Sequence, residues 1–256
     1  MRVWSVLVLL VTLLVGLHMA APAAQAQDVY HVTEDGTGDG SSFDSDPISL
    51  QGALDQAQGG DVIVIAAGTY TPSERLDASE PRSATFEITG DQDGLKIYGG
   101  WTGATSFGSI SDIESALGDR ALSANATILS GDIGTTGDVS DNAYHVLVFN
   151  GGEGIGPDVA ANITGDTVLD GVTVSGGNAD GSYPDTDGGG LYCDSQSTDN
   201  ECSPQITDVT FTGNSAGIGN NGRGGAIFNN GLNGGTSSPQ ITRAIFTGNS
   251  AYKGGA

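Results

Sequence analysis

Basic residues are scarce: 8 Lys and Arg stand against 31 Asp and Glu, a formal net charge of -23 at neutral pH. Such a surface repels phosphate backbones and anionic headgroups, which excludes nucleic acid as a partner and favours cations such as calcium. Charged residues of both signs make up only 15% of the chain, without the Ala/Glu/Lys/Leu/Arg bias of coiled coils and bundles. Long apolar runs are missing after residue 26, so the rest of the chain has no candidate membrane-spanning segment. Cysteine occurs twice and histidine three times, too few for a recurring metal motif.

Glycine is abundant, with 42 of 256 residues, more than twice its usual share of about 7%. Each glycine costs a helix about 1 kcal/mol relative to alanine, so turns must be numerous. The glycines lack a period of three, which excludes collagen, and short Val/Ile/Leu/Phe runs recur throughout, which argues against disorder. An all-β protein remains.

Residues 1–26 read as an export signal: Arg2, an apolar stretch from Val3 to Leu17, then Ala24-Gln25-Ala26 as the small-x-small cleavage pattern. The mature chain is expected to begin at Gln27, with no cysteine near the cleavage point to carry a lipid. Cys193 and Cys202, close together in a chain bound for an oxidising compartment, are expected to form a disulfide. Zinc is the weaker reading, because His31 and His145 lie far off in sequence.

The carboxy-terminal third repeats itself. Ser203–Thr207 returns as Ser238–Thr242 and Phe211–Ala216 as Phe246–Ala251, both 35 residues on. Gly224-Gly225-Ala226 returns at Gly254-Gly255-Ala256, and Val172–Gly176 anticipates Val209–Gly213 at a shift of 37. No repeat has enough apolar residues to fold alone, so the repeats must stack. With one repeat per coil of a parallel β-helix, Ile206 lies over Ile241 and Phe211 over Phe246, both rings buried. Asn214 over Asn249 is either a hydrogen-bonded asparagine ladder or a pair of solvated turn residues. Ile206 and Val209 both face inward only if the chain bends near Thr207-Asp208.

Strand-like runs at 61–65, 84–89, 95–99, 126–130, 144–149 and 167–175 supply the earlier, less regular coils. Before them one helix is predicted over 46–58, with Asp46 as N-cap, Pro47 in the first turn and Gly59-Gly60 as the stop. It suits a lid over the first coil. The expected organisation is therefore a signal peptide over 1–26, an N-terminal cap over 27–60 and a right-handed parallel β-helix over 61–256. That β-helix is expected to be cut inside a repeat unit at Gly254–Ala256.

The pairing of Phe-x-x-Asn (Phe211 to Asn214, Phe246 to Asn249) with Gly-Gly-Ala-Ile (Gly224 to Ile227) resembles the repeat of the chlamydial polymorphic outer membrane proteins. More widely, Ala66–Pro72, Ile97–Trp101, Thr127–Asp132 and Leu169–Thr173 are similar to stretches of secreted bacterial right-handed parallel β-helix proteins, including the pectate-lyase-like solenoids. The resemblance implies a secreted, cell-surface or outer-membrane-associated bacterial protein, an adhesin or passenger-like stalk. It also implies surface glycans or proteins of host or neighbouring cells as partners, and further coils followed by a membrane β-barrel or sorting domain. Gly177 stands where the later repeats have Asn214 and Asn249, so a ladder starts at Asn214 or shifts to Asn178.

The same fold hosts polysaccharide lyases and glycoside hydrolases, which makes a carbohydrate-active enzyme the alternative. Glycosidase chemistry needs two carboxylates on one groove. Asp185 and Asp187 are a candidate pair, but Tyr183–Gly190 reads as an exposed turn. A lyase needs a base beside clustered carboxylates. Arg223 and Arg243 are the basic residues in regular repeats, and only Asp208, one repeat from Arg243, offers either an acidic partner. His145, between strand residues, reads as structural. No catalytic residue or cofactor is assigned. Two loops could hold structural calcium, Asp35–Asp39 and Asp132 with Asp138 and Asp141, although both also read as plain acidic turns.

Overall fold

The computed structural model describes residues 27–156, 162–217, 219 and 221–255. The expected signal segment lies outside the described residues.

The chain begins with β1 (Val29–Val32), α1 (Leu50–Gln56), β2 (Val62–Ala66), β3 (Gly68–Tyr70), β4 (Phe86–Thr89) and β5 (Lys96–Trp101). Then come α2 (Ile110–Ala116), β6 (Thr127–Ser130), β7 (Leu147–Asn150), β8 (Val168–Asp170), β9 (Val172–Ser175) and β10 (Asn178–Ala179). One full circuit follows as β11 (Leu191–Asp194), β12 (Glu201–Cys202), β13 (Gln205–Thr207), β14 (Thr210–Thr212) and β15 (Ser215–Ala216). The next is β16 (Ile227–Asn230), β17 (Thr236–Ser237), β18 (Gln240–Thr242), β19 (Ile245–Thr247) and β20 (Ser250–Ala251).

Strands of successive circuits pair in parallel. The sheets run β1-β2-β5-β8-β13-β18, β19-β14-β9-β6-β3, β16-β11-β7-β4, β10-β15-β20 and β12-β17. The protein is thus mostly β, with all-parallel sheets and few helices, an arrangement compatible with a parallel β-helix.

The main core fills the space between the sheets, with Ile63, Ile65, Ile97, Leu169 and Ile206 from the first, Leu129, Val174 and Phe211 from the second, and Phe86, Phe149 and Leu191 from the third. Ile206, Val209 and Phe211 are all fully buried although their spacing breaks strand parity. The break is at Asp208, whose φ of 53° reverses the chain direction and lets both flanking strands turn the same way inward. Gly171 (φ 74°) and Arg243 (φ 53°) hold the same corner one circuit to either side.

β2, read Val-Ile-Val-Ile-Ala, is buried at every position. Ile63 and Ile65 face the main core, while Val62, Val64 and Ala66 join Tyr98, Trp101 and Ile113 in a second cluster outside the sheet. α2 covers that cluster. Its Ser109 side chain accepts from Asp112 N as N-cap, and Ile113 is its fully buried residue.

The helix expected over 46–58 is shorter. Ser49 is the N-cap, its side chain accepting from Gly52 N, and the helix runs only from Leu50 to Gln56. Asp46 and Pro47 instead belong to an extended segment: Gly40 N donates to Asp46 O, Gly38 N to Pro47 O, and Ile48 N to His31 O. Backbone pairing with the chain around β1 is what delays the helix. Leu50, Ala53 and Leu54 bury its apolar face, and the Gln92 side chain donates to Leu54 O at 2.7 Å near its C-terminal end.

Phe211 lies opposite Phe246, with ring centroids 5.3 Å apart and planes within 7° of parallel. Phe211 is fully buried, but Phe246 is 36% exposed, which corrects the expectation that both rings are enclosed. Phe246 belongs to the last described circuit, where one ring face is covered and the other is not. Phe211→Ala is expected to cost about 3–5 kcal/mol in denaturant unfolding, and Phe246→Ala less than half of that. Equal losses at the two positions would contradict the burial difference.

Candidate functional site

The outer face of the sheet β16-β11-β7-β4 concentrates the polar groups that burial has altered. Register places Glu87, Val148, Tyr192 and Phe228 in one row and Thr89, Asn150, Asp194 and Asn230 in the next. These rows point away from the main core, yet Val148, Tyr192, Asn150, Asp194 and Asn230 are almost fully buried, because Leu76 and Ile155 from two loops pack over them.

Hydrogen bonds run along the polar row. Asn230 Nδ2 donates to Asp194 Oδ1 at 2.6 Å and to the Tyr192 hydroxyl at 3.1 Å. Gly154 N donates to Asp194 Oδ2 at 2.6 Å, tying the loop after β7 to the sheet. Asn150 Nδ2 donates to Glu87 Oε1 at 2.8 Å and to Ile155 O at 3.0 Å. Burial pushes the Glu87 carboxyl up from its ordinary range, partly offset by the Asn150 amide. Asp194 is likewise raised by burial, against the pull of Gly154 N and Asn230.

Glu87 also lines a groove of about 400 Å³ together with Glu74, Arg75 and Asp91. A carboxyl raised by burial in a groove lined by further carboxylates is an arrangement on which general acid–base chemistry can draw. Sequence reasoning missed this face because Glu87, Asn150 and Asp194 are far apart in the chain. The available signal was the polar residue closing each strand of the sheet, Thr89, Asn150, Asp194 and Asn230.

The predicted residues divide between the core and the surface. Cys193 and Cys202 are both buried and bonded, with Cα atoms 5.8 Å apart. Ile206 pairs with Ile241. Asn214 is fully buried and densely bonded: its Nδ2 donates to Val174 O and to Asn249 Oδ1, both at 3.0 Å, and its Oδ1 accepts from Gly177 N at 3.0 Å. Asn249 Nδ2 donates to Phe211 O at 2.8 Å, so the same bond pattern recurs one circuit on. At Gly177 a Cβ would collide with Gly189 O, which explains why no asparagine stands there. In the Gly-Gly-Ala motif, Gly224 has a φ of 63° and a Cβ on Gly225 would run into Ser250 O.

Asp187 corrects the exposed-turn reading. It is 1% exposed and binds Arg223 through Nη2 at 2.6 Å and backbone N at 2.7 Å. Arg223 therefore has an acidic partner one circuit away, at a spacing of 36 rather than 35. Asp185 does not join it; its Oδ1 lies 3.4 Å from His145 Nε2. His145 Nδ1 faces Gly188 O at 3.0 Å and its ring stands edge-on to Tyr192. His31 Nδ1 faces Gly40 O at 2.9 Å and Nε2 accepts from Phe107 N at 2.8 Å, a structural arrangement in which burial lowers the imidazole pKa. Arg243 and Asp208 form a surface pair, both bonds at 2.6 Å, and Arg243 holds the Asp208 carboxyl below its usual range. In the loop 35–39, the exposed Asp39 carboxylate is engaged by Ser41 N.

The second sheet presents a different surface. Ser130, Ser175, Thr212 and Thr247 lie in register on successive circuits; Ser130 is buried with its Oγ accepting from Asp132 N, and Ser175, Thr212 and Thr247 form a row of outward hydroxyls spaced by one strand separation. Among the described residues no helix is long and apolar enough to cross a membrane.

Residues 208–230 match the Chlamydia polymorphic membrane protein repeat. The match spans the circuit from Asp208 through β14, Asn214 and the Gly-Gly-Ala motif to the end of β16. No curated protein and no solved structure matches the chain.

Reducing the Cys193–Cys202 bond should cost about 2–3 kcal/mol of stability, read by denaturant titration with and without reductant. Free thiols in exported protein would contradict the bond. For pH, the signs differ. The raised Glu87 and Asp194 contribute stability that is present below about pH 4 and lost as pH rises through their folded values. The lowered His31 contributes stability that is present above about pH 6.5 and lost as pH falls. Glu87→Gln retains Oε1 as acceptor for Asn150, so it should flatten the fall in Tm as pH rises above about 4. An unchanged slope would mean that Glu87 titrates normally.

Proposed function

We propose that the chain is an exported, passenger-like segment of a bacterial surface or outer-membrane protein, built as a right-handed parallel β-helix with α1 covering its first circuit. It acts as an adhesive stalk that engages glycans or proteins of neighbouring cells. The observation that carries this reading is the Chlamydia polymorphic membrane protein repeat at 208–230, whose strands β14, β15 and β16 stack in register on neighbouring circuits. The cleavage pattern at Ala24-Gln25-Ala26 supports export. The in-register hydroxyls of Ser175, Thr212 and Thr247 supply repeated donors and acceptors of the kind that bind sugar hydroxyls.

Fluorescent exported chain should bind a defined subset of a glycan array or of intact cells, saturably and with competition by unlabelled chain. Thr212→Val with Ser175→Ala should reduce that binding at least about 5-fold without changing Tm, since about 1 kcal/mol per lost hydrogen bond is at stake. Absence of saturable binding to either surface would overturn the adhesive role.

One observation favours a carbohydrate-active enzyme as the second reading: Glu87, raised by burial, shares its groove with Glu74 and Asp91. Incubation with polygalacturonate and other acidic glycans, with and without calcium, decides it. New reducing or unsaturated ends that disappear in Glu87→Gln would favour the enzyme.

A further inference from the structure

The loop 180–187, between β10 and β11, carries three aspartates, and each meets a different nitrogen base. Asp180 Oδ1 lies 2.7 Å from Arg82 Nη2. Asp187 Oδ2 lies 2.6 Å from Arg223 Nη2. Asp185, between them, pairs among the described residues with His145 alone, Oδ1 to Nε2 at 3.4 Å. Guanidinium groups stay charged in proteins, whereas imidazoles change charge between about pH 5 and 8. Two of the loop's three fastenings are therefore permanent, and the middle one can titrate.

The partners of the His145 ring fix where its hydrogen sits. Nδ1 faces Gly188 O at 3.0 Å, and a carbonyl only accepts, so Nδ1 carries the hydrogen. In the neutral ring Nε2 is then a bare acceptor. It is sealed from solvent and has no hydrogen-bond partner, in a residue only 2% exposed. The atom it faces, Asp185 Oδ1, is a second acceptor. The reverse tautomer would give Nε2 a hydrogen for Asp185 but would set the Nδ1 lone pair against Gly188 O at the shorter distance. Only the doubly protonated ring satisfies both contacts, donating to Gly188 O and, with charge assistance, to the Asp185 carboxylate.

The other groups around the ring leave this choice to Asp185. Tyr192 of β11 stands edge-on with centroids 5.2 Å apart, and burial raises its phenol pKa, so it stays neutral. Tyr144, the chain neighbour, has the Arg82 guanidinium over its ring at 4.3 Å, and Glu80 also acts on it from that side. Asp180 and Asp187 are already matched by their arginines. The loop is braced by its own backbone, with Asp185 N donating to Ser182 O at 2.7 Å and Gly181 N to Asp185 O at 3.0 Å. A bond to the Asp185 carboxylate therefore fixes the turn as a whole. Ser182, Pro184 and Asp185 line a groove of about 750 Å³ together with Leu76, Asp77 and Glu80, so the turn also sets the shape of that groove.

We infer that His145 is an acid-operated latch. Protonated at Nε2, it binds Asp185 and holds the turn 181–186 against the start of β7; the neutral ring lets the turn, and with it that side of the groove, move. This inference does not depend on the adhesive reading.

The test is ring-nitrogen NMR of His145 and hydrogen exchange of the exported chain at about pH 5 and about pH 8, the two ends of the imidazole range. At the higher pH His145 should be the Nδ1–H tautomer, and at the lower pH both nitrogens should carry hydrogen. Protection of the amides at 181–186, corrected for intrinsic exchange, should be at least about 5-fold greater at the lower pH, as a hydrogen bond to a charged group requires. Asp185→Asn keeps the backbone bonds of the turn and removes the charge, so its protection should no longer depend on pH. An Nε2–H tautomer at the higher pH, equal protection at the two values, or a pH response that survives in Asp185→Asn would each overturn the latch. Should Asp185→Asn fail to fold, the tautomer and the exchange map of the parent chain still decide.

Discussion

Inward-facing side chains stack on counterparts one circuit away, and the rest of the structure depends on that axial register. Ile206 lies against Leu169 and Ile241, and Phe211 against Val174 and Phe246, each pair carried by parallel strands in unbroken register. No circuit can bury its apolar residues alone, so stability accrues from neighbour to neighbour. The register survives small changes in circuit length because insertions fall in the loops. Asp187 reaches Arg223 across 36 residues while Asp208 reaches Arg243 across 35.

Corners are where this stacking makes its strictest demands. The bend at Gly171, Asp208 and Arg243 needs a left-handed backbone in every circuit, and two of the three residues accept it despite carrying side chains. Asp208 and Arg243 then pair with each other across circuits, so the strained corner is also a cross-linked one. The asparagine corner works through hydrogen bonds instead. The Asn214 side chain satisfies two backbone groups of the previous circuit, Gly177 N and Val174 O, and donates to Asn249 of the next, which leaves no polar atom of the side chain idle.

Outside the core, polar groups are buried in two places. The face carrying Glu87, Asn150 and Asp194 is covered by loops rather than by another sheet, and burial raises the proton affinity of both its carboxyls. The Asp132 loop differs, with the Asp132 and Asp141 carboxylates each accepting one bond from the loop's own backbone. On the Glu87 face, side chains from one circuit complete groups from the next, which gives a repetitive scaffold local individuality.

Much of the stacking was legible in the sequence, because Phe211 and Phe246, Asn214 and Asn249 recur at one spacing and translation along an axis converts recurrence directly into contact. The strand runs of the earlier circuits and the need for a bend near Asp208 followed from apolar patterning and parity. What the sequence could not determine was whatever depends on neighbours at irregular separations. The start of α1 at Leu50 was decided by backbone pairing of 46–48 with the chain around β1, which outweighed the N-capping preference of Asp46. The burial of Asp187 came from an arginine one circuit away, and the gathering of Glu87, Asn150 and Asp194 from strands separated by loops of unequal length. Periodicity encodes contacts that repeat; contacts made once, between side chains whose separation matches no period, exist only after the chain has folded.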